Sequence, residues 1–554
     1  MNLKNKTDRP NVIWILGEAV RNYGGDDKHS MYEIMEKIIP EGISFKNMVV
    51  SAPSTVMSQS SIMTSNPSVF ISRTYAEFNF DSNKFNSLSS ILKNKGYNIY
   101  TTTYYAEGRK LLKPIVQSLD QNEIPSNIKN DDNWQSEYLN QILDDLISKG
   151  LSEPFFLLLN YNNQENTGKL MEMAIKKIKD AGLFKNSVFV FCPDHGWPIE
   201  EHNKLRRHDC WLTDSNILIP FFIRYPGCEH FKSDGLVSSL DIVPTILNLL
   251  NIPSEDYGFK GESLLSLINN HGPYSKKMFR TDIRYLFQAG RSVSIRNDKF
   301  KYVYNFDNDS NQEELFNLVN DSCEKINLLK LSDEEIDFDV LSKFRDEFDR
   351  SEGELVDFHV NYLSNKFRDE LIKLFEEKNF NFNNILVMGI AHPLFVESIL
   401  KGLKEFKDDL GVDIVVDFNE ISKETVGKYG LNNIYDLDIE SKLFKEGKKI
   451  VVKSRVIKEK DLENKHPTFF KRKYSLVFVP LDNPYGKGKK EIYEILKKMR
   501  FDNVFFLDYN MKMKKKMANW FVEGIKLLYL KKNYYLKNPN HLMIEIKKYI
   551  RNFI

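Results

Sequence analysis

Asp194-His195-Gly196 stands directly after the apolar run Ser187-Val-Phe-Val-Phe-Cys192, so a carboxylate and an imidazole lie side by side where a β-strand opens into a loop. The carboxyl ends of parallel strands are where open α/β sheets keep their active sites, and adjacent oxygen and nitrogen donors there begin a metal site. An Asp-His-Gly turn also has a purely structural use, since Asp caps turns and Gly takes positive φ. A second strand end favours the metal: Asn11-Val-Ile-Trp-Ile-Leu16 runs into Gly17-Glu18-Ala19-Val20-Arg21, a carboxylate at an equivalent topological place. The third component is Ala52-Pro53-Ser54-Thr55-Val56-Met57-Ser58-Gln59-Ser60-Ser61-Ile62-Met63-Thr64. Pro53 does not fit a helix interior, Ser54 or Thr55 is a good N-cap, and Met57, Ile62 and Met63 allow a short buried helix to follow. Thr55 is therefore expected at a helix N-terminus, where free amides and the helix dipole favour an anion. Its hydroxyl becomes a nucleophile once coordination to a divalent metal withdraws its proton.

The elements that would position these groups follow one another in a recognisable order, and the chain resembles the sulfatase branch of the alkaline phosphatase superfamily. Arg9-Pro-Asn-Val-Ile13 looks like that family's first strand, Pro154-Phe-Phe-Leu-Leu-Leu159 like a central one, and Gly182-Leu-Phe-Lys-Asn186 like the helix end before the Asp-His-Gly strand. Ile219-Pro-Phe-Phe-Ile-Arg-Tyr-Pro-Gly227, Ser239-Leu-Asp-Ile-Val-Pro-Thr-Ile-Leu-Asn-Leu-Leu250, Gly261-Glu-Ser-Leu-Leu265 and Glu314-Leu-Phe-Asn-Leu318 continue the order. The resemblance covers residues 8 to 350. It implies a mixed α/β sheet flanked by helices, and a metal site made of Glu18, Thr55, Asp194 and His195. It also implies that His208, in Arg206-Arg207-His208-Asp209, helps bind a second metal or the substrate's anionic group.

Departures from that family are informative. Sulfatases begin this site with two adjacent aspartates, whereas this chain has Glu18-Ala19; they convert Cys or Ser of a Cys/Ser-x-Pro-x-Arg frame to formylglycine, whereas this chain has Thr55-Val-Met-Ser-Gln59. Threonine cannot become formylglycine. The Gly-Glu-x-x-Arg and Thr-x-x-Ser pattern instead resembles phosphoethanolamine transferases and, more distantly, lipoteichoic acid synthase, which implies a metal-bound, transiently phosphorylated threonine. A hydrated aldehyde expels sulfate through its second hydroxyl, but a threonine ester must be cleared by in-line attack, a route that suits phosphoryl chemistry. One nitrogen ligand among oxygens favours zinc or manganese over calcium or magnesium. Where two-metal relatives carry Asp and His, this chain reads Asn160-Tyr-Asn-Asn-Gln-Glu-Asn166, so a complete second metal site is not expected.

His202 and His208 are candidates for the general acid that protonates the leaving oxygen, because imidazole titrates near working pH. Arg21 and Arg207 are candidate clamps for anionic oxygens, although surface cations account for most loop arginines. The net charge of +1 over 554 residues provides no field for nucleic acid or anionic membranes. Four cysteines without paired spacing, no apolar leader at the N-terminus and no run of about 18 apolar residues predict a cytoplasmic protein with no integral membrane segment.

Beyond residue 350 the family order stops. Residues 351–379 read as a helical connector, with apolar positions at Leu355, Phe358, Leu363, Phe367, Leu371 and Leu374. Strand–helix–strand alternation then restarts at Asn384 to Asp417 and at Tyr474 to Asp508, predicting a second, smaller doubly wound, Rossmann-like domain over 380–554. Gly389-Ile-Ala-His-Pro393 and Gly486-Lys-Gly-Lys489 sit at strand-to-helix turns but match no dinucleotide or P-loop fingerprint. The lysine-rich end around Trp520 reads as a packed terminal helix. The expected function is metal-dependent hydrolysis or transfer of a phosphoester on a small molecule or glycan. A sulfuric ester hydrolase using the same site is the second reading, and a catalytically silent scaffold the third.

Overall fold

The computed structural model describes residues 9–17, 19–20, 31–72, 80–102, 143–161, 167–197, 212–270, 278–283, 292–306, 312–331, 337–377, 384–388, 393–407, 410–416, 427–436, 440–446, 450–456, 462, 464–480, 495–496, 498–507 and 513–514. The chain divides into two units, Met1–Asp349 and Arg350–Ile554.

The first unit is built on seven strands: β1 (Asn11–Gly17), β2 (Ile43–Val49), β3 (Asn98–Thr102), β4 (Phe155–Tyr161), β5 (Ser187–Pro193), β6 (Leu218–Arg224) and β7 (Phe231–Ser238), in the order β3-β4-β1-β5-β6-β2-β7. Strands β3, β4, β1 and β5 are mutually parallel, whereas β6 runs antiparallel to both β5 and β2. Every residue of β1 and β5 is buried, which is why they are continuous apolar runs rather than alternating ones. One face is packed by Ile13, Ile15, Phe155, Leu157, Phe189 and Phe191 against Ala174, Ile175 and Ile178 of the helix Thr167–Asp180. Gly17 lies opposite Tyr161 on one side and Pro193 on the other, so the carboxyl ends of β4, β1 and β5 are level. That alignment brings the two motif-bearing strand ends together.

Helix α1 spans Met31–Ile38, and α2 spans Thr55–Thr64, directly after β2 and Ser54. Although α2 is rich in Ser, Thr and Gln, every residue from Val56 to Thr64 is buried. Its C-terminal end is tied down by Ser65, whose hydroxyl donates to Leu240 O at 2.6 Å and accepts from Gly261 N at 3.2 Å. A Cβ on Gly261 would lie 2.1 Å from Leu240 O, so only glycine permits that approach. Asp241 accepts from Ser238 N and Glu262 N, and Thr245 donates to Asp241 O. The ordered motifs at 239–250 and 261–265 thus fix the far end of α2.

An antiparallel sheet follows, ordered β11-β10-β9-β8, with β8 Phe279–Ile283, β9 Ser292–Arg296, β10 Phe300–Asn305 and β11 Glu313–Asn317. A single helix, Phe338–Glu377, runs through the division between the units. Its first part packs Leu341, Phe344 and Phe348 on the antiparallel sheet. The segment expected as a connector is its second part, where Leu363, Phe367 and Leu371 enter the core of the second unit.

In the second unit, β12 (Ile385–Met388), β13 (Val412–Val416), β14 (Asn433–Asp436), β17 (Lys473–Pro480) and β18 (Arg500–Leu507) form a parallel sheet, and β19 (Met513–Lys514) adds antiparallel to its edge. The order β14-β13-β12-β17-β18-β19 reverses direction between β12 and β17, as a doubly wound sheet does. Apolar cores lie on both faces. A hairpin of β15 (Glu440–Glu446) and β16 (Ile450–Val456), which the alternation did not reveal, forms its own sheet. The turns at Gly389–His392 and Gly486–Lys489 and the segment around Trp520 lie outside the described residues. No described helix is long and apolar enough to cross a membrane.

Candidate metal and nucleophile site

Asp194 and His195 follow β5 immediately, and neither exposes any surface. The turn is pinned to the neighbouring strand end: Asp194 N donates to Gly17 O at 2.9 Å, and Ala19 N donates to Asp194 Oδ1 at 2.9 Å. Ala19 adopts φ of +54°, a left-handed conformation that turns the chain back at this point. Gly17 and Ala19 flank Glu18, so the backbone on both sides of that carboxylate residue is anchored to Asp194. Glu18 itself, together with Arg21, His202, Arg207 and His208, lies outside the described residues.

Asp194 accepts three hydrogen bonds through its carboxylate: Ala19 N and His195 N, each at 2.9 Å, reach Oδ1, and Gln59 Nε2 reaches Oδ2 at 3.1 Å. Ser58 Oγ donates to Asp194 O. Buried carboxylates need such partners; α2 supplies one from Gln59 and, from the adjacent Ser58, a donor to the Asp194 carbonyl. This accounts for two of that helix's buried polar side chains; Ser60 and Thr64 donate instead to carbonyls of α2 itself, and Ser61 accepts from Ser51. In the sequence Ser58 stands only as part of the Thr-x-x-Ser pattern and Gln59 has no assigned role; polar residues inside a helix expected to be buried were the available signal.

His195 Nδ1 lies 2.7 Å from Gly196 O. A carbonyl only accepts, so Nδ1 carries a proton, and Nε2 is the ring nitrogen that a metal would take in the neutral form. Nε2 faces Thr55 Oγ1 at 3.3 Å and lies 3.7 Å from Asp194 Oδ1. Thr55 is the first residue of α2, and Ser54 makes no side-chain cap bond, leaving the first-turn amides uncapped by it. Two donors at roughly 2 Å from one tetrahedral ion stand about 3.3 Å apart, so the Thr55 and His195 spacing suits a shared divalent cation. Among the described residues no third His, Cys, Asp or Glu joins the Asp194–His195 pair, and the sequence supplies Glu18 at the flanked position.

Cys192 is fully buried in β5, and burial pushes its thiol pKa up, so it stays protonated. Cys228 and Cys323 are free thiols, and Cys210 lies outside the described residues.

The family model described as Sulfatase matches residues 10–164 and 160–252. An ulvan-active sulfatase of Formosa agariphila is 27% identical over 233 residues, which are 39% of this chain and 36% of that protein. The match thus spans about a third of the length of that relative. Lipoteichoic acid synthase 1 of Bacillus subtilis is 32% identical over 102 residues, 17% of this chain and 16% of that one. The solved structure of a 2-O GAG sulfatase superposes with a TM-score of 0.52 at 16% identity, covering 63% of this chain and 92% of its own. At that identity the superposition bears on fold alone.

Proposed function

We propose that this chain, whose residues 10–164 and 160–252 match the Sulfatase family model, is a metal-dependent enzyme of the sulfatase-like branch of the alkaline phosphatase superfamily that cleaves a phosphoester through Thr55. The observation that carries this reading is the 3.3 Å approach of Thr55 Oγ1 to His195 Nε2 beside the fully buried Asp194. Glu18, Thr55, Asp194 and His195 would hold a divalent ion, with zinc or manganese favoured by the mixed nitrogen and oxygen donors. When bound, such an ion acidifies a coordinated hydroxyl and neutralises charge on the substrate's oxygens.

The chain's own groups do the rest. Thr55 Oγ1, its proton released to solvent, attacks phosphorus in line, forming a threonine O–P bond as the bond from phosphorus to the leaving alcohol breaks. His208, or failing that His202, donates a proton to the departing oxygen, while Arg21 and Arg207 hold the anionic oxygens. Water or an acceptor alcohol then attacks the phosphothreonine from the opposite side, releasing the product and restoring the hydroxyl. Gln59 and the Ala19 and His195 amides keep Asp194 oriented throughout, and the Gly196 carbonyl holds the His195 ring through Nδ1 with Nε2 turned toward Thr55.

A sulfuric ester hydrolase is the second reading. The match to an ulvan-active sulfatase, which covers more of the chain than the match to lipoteichoic acid synthase 1, favours it. Thr55 argues against it, because threonine cannot yield formylglycine. A panel of phosphomonoesters, phosphodiesters and sulfate esters, small and glycan-borne, assayed with zinc and with manganese separates the two. Faster phosphoester turnover supports the proposal; faster sulfate-ester turnover reverses the ranking. A catalytically silent scaffold would take up neither metal stoichiometrically.

A further inference from the structure

Away from the catalytic residues, four charged side chains converge behind the Asp-His-Gly turn. Lys301 on β10 exposes no surface at all, yet its ammonium has a full set of partners: Asp214, Glu324 Oε1 at 2.8 Å and Leu212 O at 3.0 Å. The ammonium donates to Glu324 and to Leu212 O and is ion-paired with Asp214, whose Oδ1 makes no hydrogen bond of ordinary geometry. Arg296, directly opposite Lys301 across the β9–β10 ladder, donates to Asp214 Oδ2 at 2.9 Å. Two cations side by side on neighbouring strands repel, and the two carboxylates between them make the arrangement tenable. Glu324 Oε1 also accepts from Asp214 N at 2.8 Å, so the same network holds both the backbone and the side chain of Asp214.

What this network grips is the short helical turn Asp214–Ile217, the next structure after the segment carrying His202 and His208. That turn is the bed on which the Asp-His-Gly turn lies. Gly196 N donates to Asn216 O at 2.9 Å, and a Cβ on Gly196 would come within 2.1 Å of Ser215 O. Gly196 in turn supplies the carbonyl that accepts from His195 Nδ1. A continuous line of contacts thus runs from Lys301 and Glu324 through Asp214, the Ser215–Asn216 backbone and Gly196 to His195.

We propose that Lys301, Glu324, Arg296 and Asp214 are positioning residues that fix the ring orientation and tautomer of His195 through the 214–217 turn; the proposal rests on reading Asp194–His195 as a metal site. A buried ion network costs desolvation that an apolar filling would avoid, and its use here is to hold one backbone turn in one place. Residues that hold a metal-ligating side chain in its orientation change metal affinity by about 10- to 100-fold when removed.

The test uses the full-length protein and Zn²⁺ in competition with a chromophoric chelator. Glu324→Ala and Asp214→Asn should each weaken Zn²⁺ binding about tenfold, and Glu324→Gln, which keeps the acceptor for Asp214 N–H and for Lys301, should recover most of that loss. Arg345→Ala breaks the more exposed ion pair with Glu313 on the same antiparallel sheet and should leave the affinity unchanged. A second readout needs no metal: histidine ¹⁵N spectra of the metal-free protein should show His195 as a single Nδ1–H tautomer in wild type and as a mixture in Glu324→Ala and Asp214→Asn. Wild-type affinity and a single tautomer in both variants would overturn the proposal, as would equal weakening by Arg345→Ala. Wild-type protein that does not bind Zn²⁺ would instead count against the metal site itself, with the tautomer spectra still deciding whether the clamp acts on His195.

Discussion

Thr55, His195, Asp194 and Gly196 carry the account at the scale of single residues, and each is there for a separable physical reason. Gly196 is the easiest to test, because its hydrogen atom faces a carbonyl rather than open space. Gly196→Ala forces a methyl to within 2.1 Å of Ser215 O, a backbone atom that cannot swing aside. The expected cost is about 1–3 kcal/mol in chemical denaturation, together with weakened Zn²⁺ binding because the His195 turn must move. An alanine variant as stable as wild type would mean that the turn is not fixed by this contact. Gln59→Leu should behave differently, keeping the volume of α2 but leaving Asp194 Oδ2 without its amide donor. Loss of a hydrogen bond to a buried carboxylate costs about 1–3 kcal/mol, and metal titration should show weaker binding. The Asp-His-Gly turn was legible in the sequence because it follows a continuous apolar run that ends abruptly in polar donors. Ser58 and Gln59 were not, because their roles depend on which side of α2 faces Asp194, and that is decided by tertiary packing.

At the scale of elements, the level ends of β4, β1 and β5 and the buried helix α2 bring Asp194, His195 and Thr55 together, while Lys301 of the antiparallel sheet and Glu324 beyond it hold Asp214. Burial, the leading influence, and neighbouring Asp214 push the Glu324 carboxyl pKa up to about 7 from an ordinary 4.5, against the pull of Lys301. Burial would raise the Asp214 carboxyl too, but Lys301 and Arg296 beside it hold it below the usual carboxylate range. The signs of the two stability effects are opposite. A raised folded pKa means that Glu324 contributes stability below about pH 4.5, and that this is lost as pH rises through about 7. A lowered one means that Asp214 contributes stability above its ordinary 3.8, lost only as acid drives the pH through its depressed folded value. Between pH 5 and 7.5, therefore, the urea midpoint of wild type should fall relative to that of Glu324→Gln. Parallel pH dependence in the two proteins would contradict the assignment. The strands of the first sheet were readable as apolar runs, whereas the hairpin β15–β16 was not, because its charged, alternating segments resemble surface loops until paired. The ion network was equally hidden: Lys301, Asp214 and Glu324 are far apart in sequence, and nothing local marks a lysine as buried.

For the whole molecule, the sequence order placed a sulfatase-like unit before a doubly wound one, and the described sheets have those topologies. Less legible was the helix Phe338–Glu377, whose amphipathic pattern reads as a connector but whose second part supplies Leu363, Phe367 and Leu371 to the core of the second unit. Each such side chain costs about 2–5 kcal/mol when removed from a core, and domains have only about 5–15 kcal/mol in total. A fragment from Arg350 to Ile554 should therefore unfold cooperatively, and one starting at Phe380 should not; circular dichroism against urea distinguishes them, and equal stability would show that the helix is dispensable. The central claim, that a threonine at the head of α2 performs the chemistry, is tested most directly by phosphoester turnover in Thr55→Ala with bound metal quantified in the same sample. The prediction is a loss of about 10³-fold or more in kcat/KM while the metal is retained with weakened affinity. Turnover within a few fold of wild type in the metal-loaded variant would contradict it.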